Sequence, residues 1–286
     1  MRRSLLFMPG NNPAMLQNSD IFEADAVIYD LEDAVAVTQK DSARILISQF
    51  LKSSKKPFPM EIVVRINGLD TDYYMDDLNM VVSDKIDTIM LPKARVETLI
   101  ELDKILSRIE EEKHLTKKIG VIPIIELAIS VLEINQIVTL PRVNGVLLGA
   151  EDLSSDLEVA RTKKGDEILH PRMCIAVACA AYKIDSIDTP FTDTNDDMGL
   201  KEDCRFVSSI GFTSKAAIHP NQVPTINEIF VPSRKNIEWA LRVEAAAKLA
   251  DEKGLGVFSL DGKMVDKPVM DRANKILKKA RNYNLI

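Results

Sequence analysis

Thr88-Ile89-Met90-Leu91, then the stretch 96–109, then Gly120-Val121-Ile122-Pro123-Ile124-Ile125: the reading of these three decides the fold. The first and third are short, almost continuous apolar runs, as expected of strands buried on both faces of a parallel sheet. The middle stretch carries Val96, Leu99, Ile100, Leu102, Ile105, Leu106 and Ile109, a spacing that predicts one apolar helical face. Parallel strands need a crossover connection, and a helix of this length supplies one.

Working outward, the same alternation recurs. Strands are predicted at 5–8, 26–30, 61–66, 88–91, 120–125, 145–148, 186–189 and 216–218, and a further amphipathic helix at 41–51 on Ala43, Leu46, Ile47, Phe50 and Leu51. Eight β-then-α units before Pro232 are what a closed (β/α)₈, or TIM, barrel requires, in roughly 250 residues. An open doubly wound sheet is the competing α/β architecture, but no GxGxxG turn follows the first strand. After Pro232 the pattern changes. A long helix is predicted over 233–253, ending on Gly254 as its C-cap. A Gly-rich segment over 254–268 and a last helix over 271–281 follow. The expected organisation is a catalytic barrel over 1–232 and a C-terminal helix and lid segment over 233–286. Trp239, alone on the tail helix, reads as packing.

Composition excludes several classes. The 286 residues carry a formal charge of -6 and 28% charged residues with both signs interspersed, so no basic stripe offers a nucleic-acid surface. No apolar run reaches the length of a membrane span. The run before Pro9-Gly10 is too short for a signal peptide. Cys174, Cys179 and Cys204 are odd in number and lack CxxC spacing, so no disulfide framework or zinc site is expected and a reducing, cytoplasmic setting fits; Cys174 and Cys179, on a packed helical face, read as small buried apolar residues.

In a barrel, chemistry gathers at the C-terminal strand ends. Those ends carry Asp30-Leu31-Glu32-Asp33, Arg65-Ile66-Asn67, Pro92-Lys93, Glu126, Gly149-Ala150-Glu151-Asp152 and His219-Pro220. Carboxylates crowded at one mouth repel and call for a cation or a proton. With no His pair or Cys cluster, oxygen-only ligation points to Mg²⁺, which takes one or two carboxylates and keeps its waters. Glu126 and Asp152, at equivalent ends of neighbouring strands, are the candidate ligands. Each has a structural alternative: Glu126 could pair with a lysine, and Asp152 could cap the following helix. Arg65 could be a structural ion pair with Asp30 or Asp33, which themselves read as supporting residues along with Glu32. Lys93 and His219 also have structural readings, in a tight loop and in a hydrogen-bonded turn.

Taken in order, Leu6-Phe7-Met8-Pro9-Gly10-Asn11-Asn12-Pro13, Asp30-Leu31-Glu32-Asp33-Ala34-Val35, Val64-Arg65-Ile66-Asn67, Leu91-Pro92-Lys93, Leu148-Gly149-Ala150-Glu151-Asp152 and the tail from Gly254 to Asp266 resemble the citrate lyase beta-subunit family, in the wider group of malyl-CoA and citramalyl-CoA lyases. The resemblance implies a TIM barrel, Mg²⁺ on Glu126 and Asp152, and retro-Claisen cleavage of a citryl-thioester, on an acyl-carrier protein or CoA, to oxaloacetate and an acetyl-thioester. It implies Arg65 as substrate arginine and Asp266 as a lid acid/base from a neighbouring subunit. Gly149, Ala150, Glu151, Asn67 and Lys93 are expected at the substrate. It further implies a homo-oligomer (trimer or hexamer) and alpha and gamma partner subunits. A stand-alone malyl-CoA or citramalyl-CoA lyase is the second reading, and a non-catalytic scaffold subunit the third. The sequence departs from the family at Gly211-Phe212-Thr213-Ser214-Lys215, which lacks a glycine before the lysine, and at His170-Pro171.

Overall fold

The computed structural model of the chain describes residues 2–54, 57–251 and 256–286. The chain divides into two compact units, one ending at Asn227 and the other running from Glu228 to Ile286.

The first unit opens with β1 (Ser4–Pro9), α1 (Pro13–Gln17), β2 (Ala26–Asp30), α2 (Lys40–Ser53), β3 (Glu61–Arg65) and α3 (Tyr74–Val81). It continues with β4 (Thr88–Leu91), α4 (Val96–Glu112), β5 (Gly120–Ile125), α5 (Ala128–Ile137), β6 (Gly145–Leu148) and α6 (Ala150–Asp156). It finishes with α7 (Leu169–Tyr182), β7 (Asp185–Asp188), α8 (Asp197–Ser209), β8 (Ser214–Ala217) and α9 (Gln222–Ile229), within which the boundary falls. All eight strands are parallel, and β8 returns to pair with β1 and close the barrel. The fold is the predicted (β/α)₈ barrel.

Period-two alternation fills its interior. Leu5, Ala26, Ile28, Val63, Met90, Ile122, Ile124, Leu147, Ile187 and Ala216 form one buried cluster, with Phe7 packed against it. Side chains of this kind stack in layers inside a barrel. The opposite faces of the strands pack under helices, whose buried stripes include Leu99, Leu102, Leu106 and Ile109 on α4. At the end away from the strand C-termini, buried Arg2 ties Glu61 (2.5 Å) and Asp185 (3.0 Å) to Asn144. Residues at that end of a barrel serve stability.

Six predicted strands differ little from those observed, and two are displaced. The seventh begins one residue early, at Asp185, because Arg2 neutralises that carboxylate. The eighth runs over Ser214–Ala217 rather than 216–218. Ser214 and Lys215 look like loop residues, yet both are fully buried, and Lys215 is satisfied by two aspartates. Cys179 is buried as expected, whereas Cys174 is only half-buried; Cys204 is buried as well.

The second unit contains α10 (Arg234–Asp251), β9 (Phe258–Leu260), β10 (Lys263–Val265) and α11 (Lys267–Asn282). The predicted end of the long helix at Lys253, with Gly254 as its cap, lies outside the described residues. β9 and β10 form an antiparallel hairpin. Ala240, Val243, Val265, Ala273 and Leu277 make a small core on which Trp239 packs. The Arg272 guanidinium lies 4.5 Å from the Trp239 ring centroid, so Trp239 is a packing residue. The last helix starts a turn before the predicted 271, because Asp266 caps it. The Asp266 carboxylate accepts the Val269 N–H at 3.2 Å, the standard satisfaction of a free first-turn donor.

Candidate active site

Alternation along each strand also builds the mouth. Two residues beyond Phe7's neighbour set, the inward positions after Ile28, Val63, Ile124, Leu147, Ile187 and Ala216 are Asp30, Arg65, Glu126, Gly149, Thr189 and Ile218. All six line one cavity of about 430 Å³, together with Phe7, Asp33, Ala150, Glu151 and Asp152. The apolar layer beneath therefore serves as the floor of a polar site.

Asp30 and Arg65 face each other across the β2–β3 register. Arg65 grips Asp30 with a fork, Nε to Oδ1 at 2.7 Å and Nη2 to Oδ2 at 2.5 Å. Its Nη1 stands 2.8 Å from Glu32 and 3.7 Å from Asp33. The guanidinium also sits 5.1 Å from the Phe7 ring centroid. Burial pulls the Arg65 pKa down, but the Asp30 hydrogen bonds and the three carboxylates outweigh it and leave it raised. Asp30 in turn accepts the backbone N–H groups of Glu32 (2.9 Å) and Ala34 (3.1 Å). Buried Lys40 donates to the carbonyls of Leu31 and Glu32, both at 2.8 Å. The loop after β2 is thus fixed on both sides.

Glu126 is buried, and its Oε1 accepts the Lys93 backbone N–H at 2.5 Å. Burial pushes its pKa up, the Lys93 N–H lowers it, and the charges of Glu32 and Asp152 raise it further, to about 8. Glu32 is pushed up to about 7, chiefly by burial, with Arg65 opposing and Asp33 and Asp30 adding. Both values mark a site poised for a counter-charge or a proton. Gly149 is needed beside Glu126: a Cβ there would lie 2.6 Å from Glu126 Oε2 and 2.8 Å from Ile124 Cγ2.

The remaining predicted residues divide. Asp152 and Glu151 are exposed on the first turn of α6 and line the cavity, with Glu151 3.6 Å from Arg161. Ala150 is buried there, its N–H 3.4 Å from Thr189 Oγ1. Lys93 has an exposed side chain and a left-handed backbone, φ +48°, so its contribution to the site is its N–H to Glu126. Asn67 is buried and gives its amide to Leu31 O (3.1 Å) and Asp77 (2.6 Å), away from the cavity lining. His219 is exposed and accepts the Asn221 N–H at 3.2 Å, as a turn residue does. Asp266 belongs to the second unit and is described only by its cap on α11.

Several lining residues are not legible in the sequence, among them Thr189, Ile218 and Phe7. Thr189 and Ile218 follow from counting two beyond Ile187 and Ala216, but the seventh and eighth strands were too short to place that count. Phe7 was visible within its motif, yet nothing there tells a ring facing a guanidinium from core.

Residues 3–220 match the sequence profile of the HpcH/HpaI aldolase/citrate lyase family. The chain belongs to that family. It is 38% identical over 291 residues to the citrate lyase subunit beta of Leuconostoc mesenteroides subsp. cremoris, covering 100% of this chain and 95% of the relative. It is 30% identical to the mitochondrial citramalyl-CoA lyase of Homo sapiens, over 95% of this chain and 83% of that protein. The crystal structure of protein CitE from Mycobacterium tuberculosis, in complex with magnesium, acetoacetate and coenzyme A, superposes with a TM-score of 0.78 at 31% identity, covering 97% of both chains. The chain is accordingly an enzyme of the carbon–carbon lyase class. Among the described residues, no helix is long and apolar enough to cross a membrane.

Proposed function

We propose that the chain cleaves a citryl-thioester to oxaloacetate and an acetyl-thioester. The observation that carries the reading is one cavity holding a guanidinium locked by Asp30 together with the Glu126 carboxyl, whose burial raises its pKa to about 8. Magnesium suits this donor set. Glu126 and Asp152 offer oxygen alone, and among the described residues no group of three His, Cys, Asp or Glu could hold a metal ion. Zinc takes four ligands, commonly with Cys or His, whereas Mg²⁺ binds through one or two carboxylates and its own waters. The absence of a side chain at Gly149 leaves room beside Glu126. The magnesium and coenzyme A bound by the CitE structure support the same ion and thioester class here.

Glu126 and Asp152 would hold the Mg²⁺, which would supply the Lewis acidity that lowers the pKa of the substrate hydroxyl. The hydroxyl oxygen gives its proton to the Asp266 carboxylate, and its electron pair forms the ketone. The carbon–carbon bond breaks, and its electrons pass to the thioester as an enolate. Arg65 stabilises oxygen charge as it develops, with a planar fork that the Asp30 contact has already oriented. Asp266 gives the enolate carbon its proton, from a lid supplied by a neighbouring copy of the chain. Gly149, Ala150 and Glu151 border the substrate. Lys93 and Asn67 act at one remove, through Glu126 and through the loop after β2. Asp30, Glu32 and Asp33 hold Arg65. End-to-end identity to a citrate lyase beta subunit supports a carrier-bound citryl group, alpha and gamma partner subunits, a homo-oligomer and a cytoplasmic setting.

The metal assignment is tested by titrating Mg²⁺ calorimetrically into wild type and Asp152→Asn. Loss of binding in the variant, with its melting transition intact, is expected. Wild-type affinity in Asp152→Asn would remove Asp152 from the metal site.

A further inference from the structure

Four charged side chains close a ring behind β7 and β8, in the layer between the barrel and its helices. Arg172 of α7 forks Asp188 of β7, at 2.9 and 3.0 Å. It also reaches Asp203 of α8 at 3.1 Å. Lys215 of β8 lies 2.5 Å from Asp188 and 2.6 Å from Asp203. Lys215 and Asp188 are fully buried, and Arg172 almost so. Two cations and two anions alternate, so the ring is neutral.

A buried ion network is weak evidence for stability, because desolvation offsets much of the attraction. Its place in this barrel gives it another use. The β7–β8 register holds two residue pairs, Ile187↔Ser214 and Asp188↔Lys215, as few as β5–β6 and against five for β1–β2. The ring crosses that thin seam. The third donor of Lys215 leaves the ring and binds the Thr189 carbonyl at 2.7 Å. Thr189 lines the active cavity, and its Oγ1 faces the Ala150 N–H at the start of α6. Asp152 stands on that same turn.

We propose that Lys215 is a positioning residue: anchored by Asp188 and Asp203, it sets Thr189, and through Thr189 the first turn of α6. The link to catalysis rests on the proposed lyase reading; the structural link does not. The test separates them. Lys215→Met alone strips a charge from a buried network and can fail to fold, so Asp188→Asn accompanies it, leaving Arg172 and Asp203 as a balanced pair. In the Asp188→Asn, Lys215→Met protein, amide exchange of Ala150 accelerates by about tenfold or more while the amides of β1–β3 keep wild-type protection. The turnover number falls by about tenfold or more, with KM changed far less, since small misplacements at a mouth are costly. Thr189→Val, which keeps the shape and removes the hydroxyl, gives a similar loss. Added to the double variant, it lowers the rate by less than about a further twofold, because both act through one contact. Unchanged Ala150 exchange would overturn the proposal, as would full multiplication of the two effects. If wild type itself leaves citryl-thioester intact, the lyase reading fails and the exchange arm still decides this one.

Discussion

Replacing Glu126 by glutamine should stabilise the metal-free protein while it abolishes turnover. The substitution keeps the acceptor for the Lys93 N–H and nearly the same shape. What it removes is a buried group that resists ionisation, with a pKa of about 8 in the folded chain. In the unfolded chain the same carboxyl titrates near an ordinary glutamate value of ~4.3. Between these values the folded state binds more protons than the unfolded one, so stability falls as pH rises through the window. The penalty is absent below the unfolded pKa, reaches ~1.5 kcal/mol at pH 5.5 and ~3.5 kcal/mol at pH 7, and levels off above the folded pKa of about 8. Urea unfolding in EDTA, run at several pH values, should therefore show Glu126→Gln more stable than wild type by an amount that grows with pH. Saturating Mg²⁺ should shrink the difference, because the ion stabilises only the chain that binds it. A variant less stable than wild type at pH 7 without metal, or a difference that ignores pH, would refute the reasoning.

Two further outcomes follow from the same geometry. Arg65→Lys retains charge but loses the fork on Asp30, and its turnover should fall about a hundredfold, as for loss of an oxyanion donor; steady-state kinetics showing less than about threefold loss would return Arg65 to a purely structural pairing. Asp266→Asn and Arg65→Ala should each be nearly inactive alone, yet mixed oligomers should regain a substantial share of activity if the lid closes on a neighbour. Mixtures that stay at the parental level, with subunit exchange confirmed by mass spectrometry, would contradict closure in trans.

How legible the molecule is in its sequence varies with the kind of residue. β2, β4, β5 and β6 are read to the residue, because buried parallel strands are continuous apolar runs, here ended by a charge, a proline or a glycine. The mouth carboxylates are legible for the same reason, since Asp30 and Glu126 each follow such a run. β8 is not, because half of it is Ser214 and Lys215 and only tertiary partners make a buried lysine tolerable. Nor does sequence distinguish the side chain of Lys93 from its backbone N–H, or foresee that Asn67 turns to Asp77. Those depend on where neighbouring loops place their acceptors. Thr189 escapes notice because a threonine before a proline signals only the end of a strand.

The central claim is the reaction itself, and the most direct measurement is oxaloacetate release from citryl-CoA by the purified chain, with malyl-CoA and citramalyl-CoA assayed beside it. The account predicts Mg²⁺-dependent oxaloacetate from citryl-CoA, abolished by EDTA and restored by Mg²⁺, with kcat/KM at least about tenfold above that for the other two thioesters. Cleavage of malyl-CoA or citramalyl-CoA with citryl-CoA left intact would contradict it, and so would oxaloacetate release that EDTA does not touch.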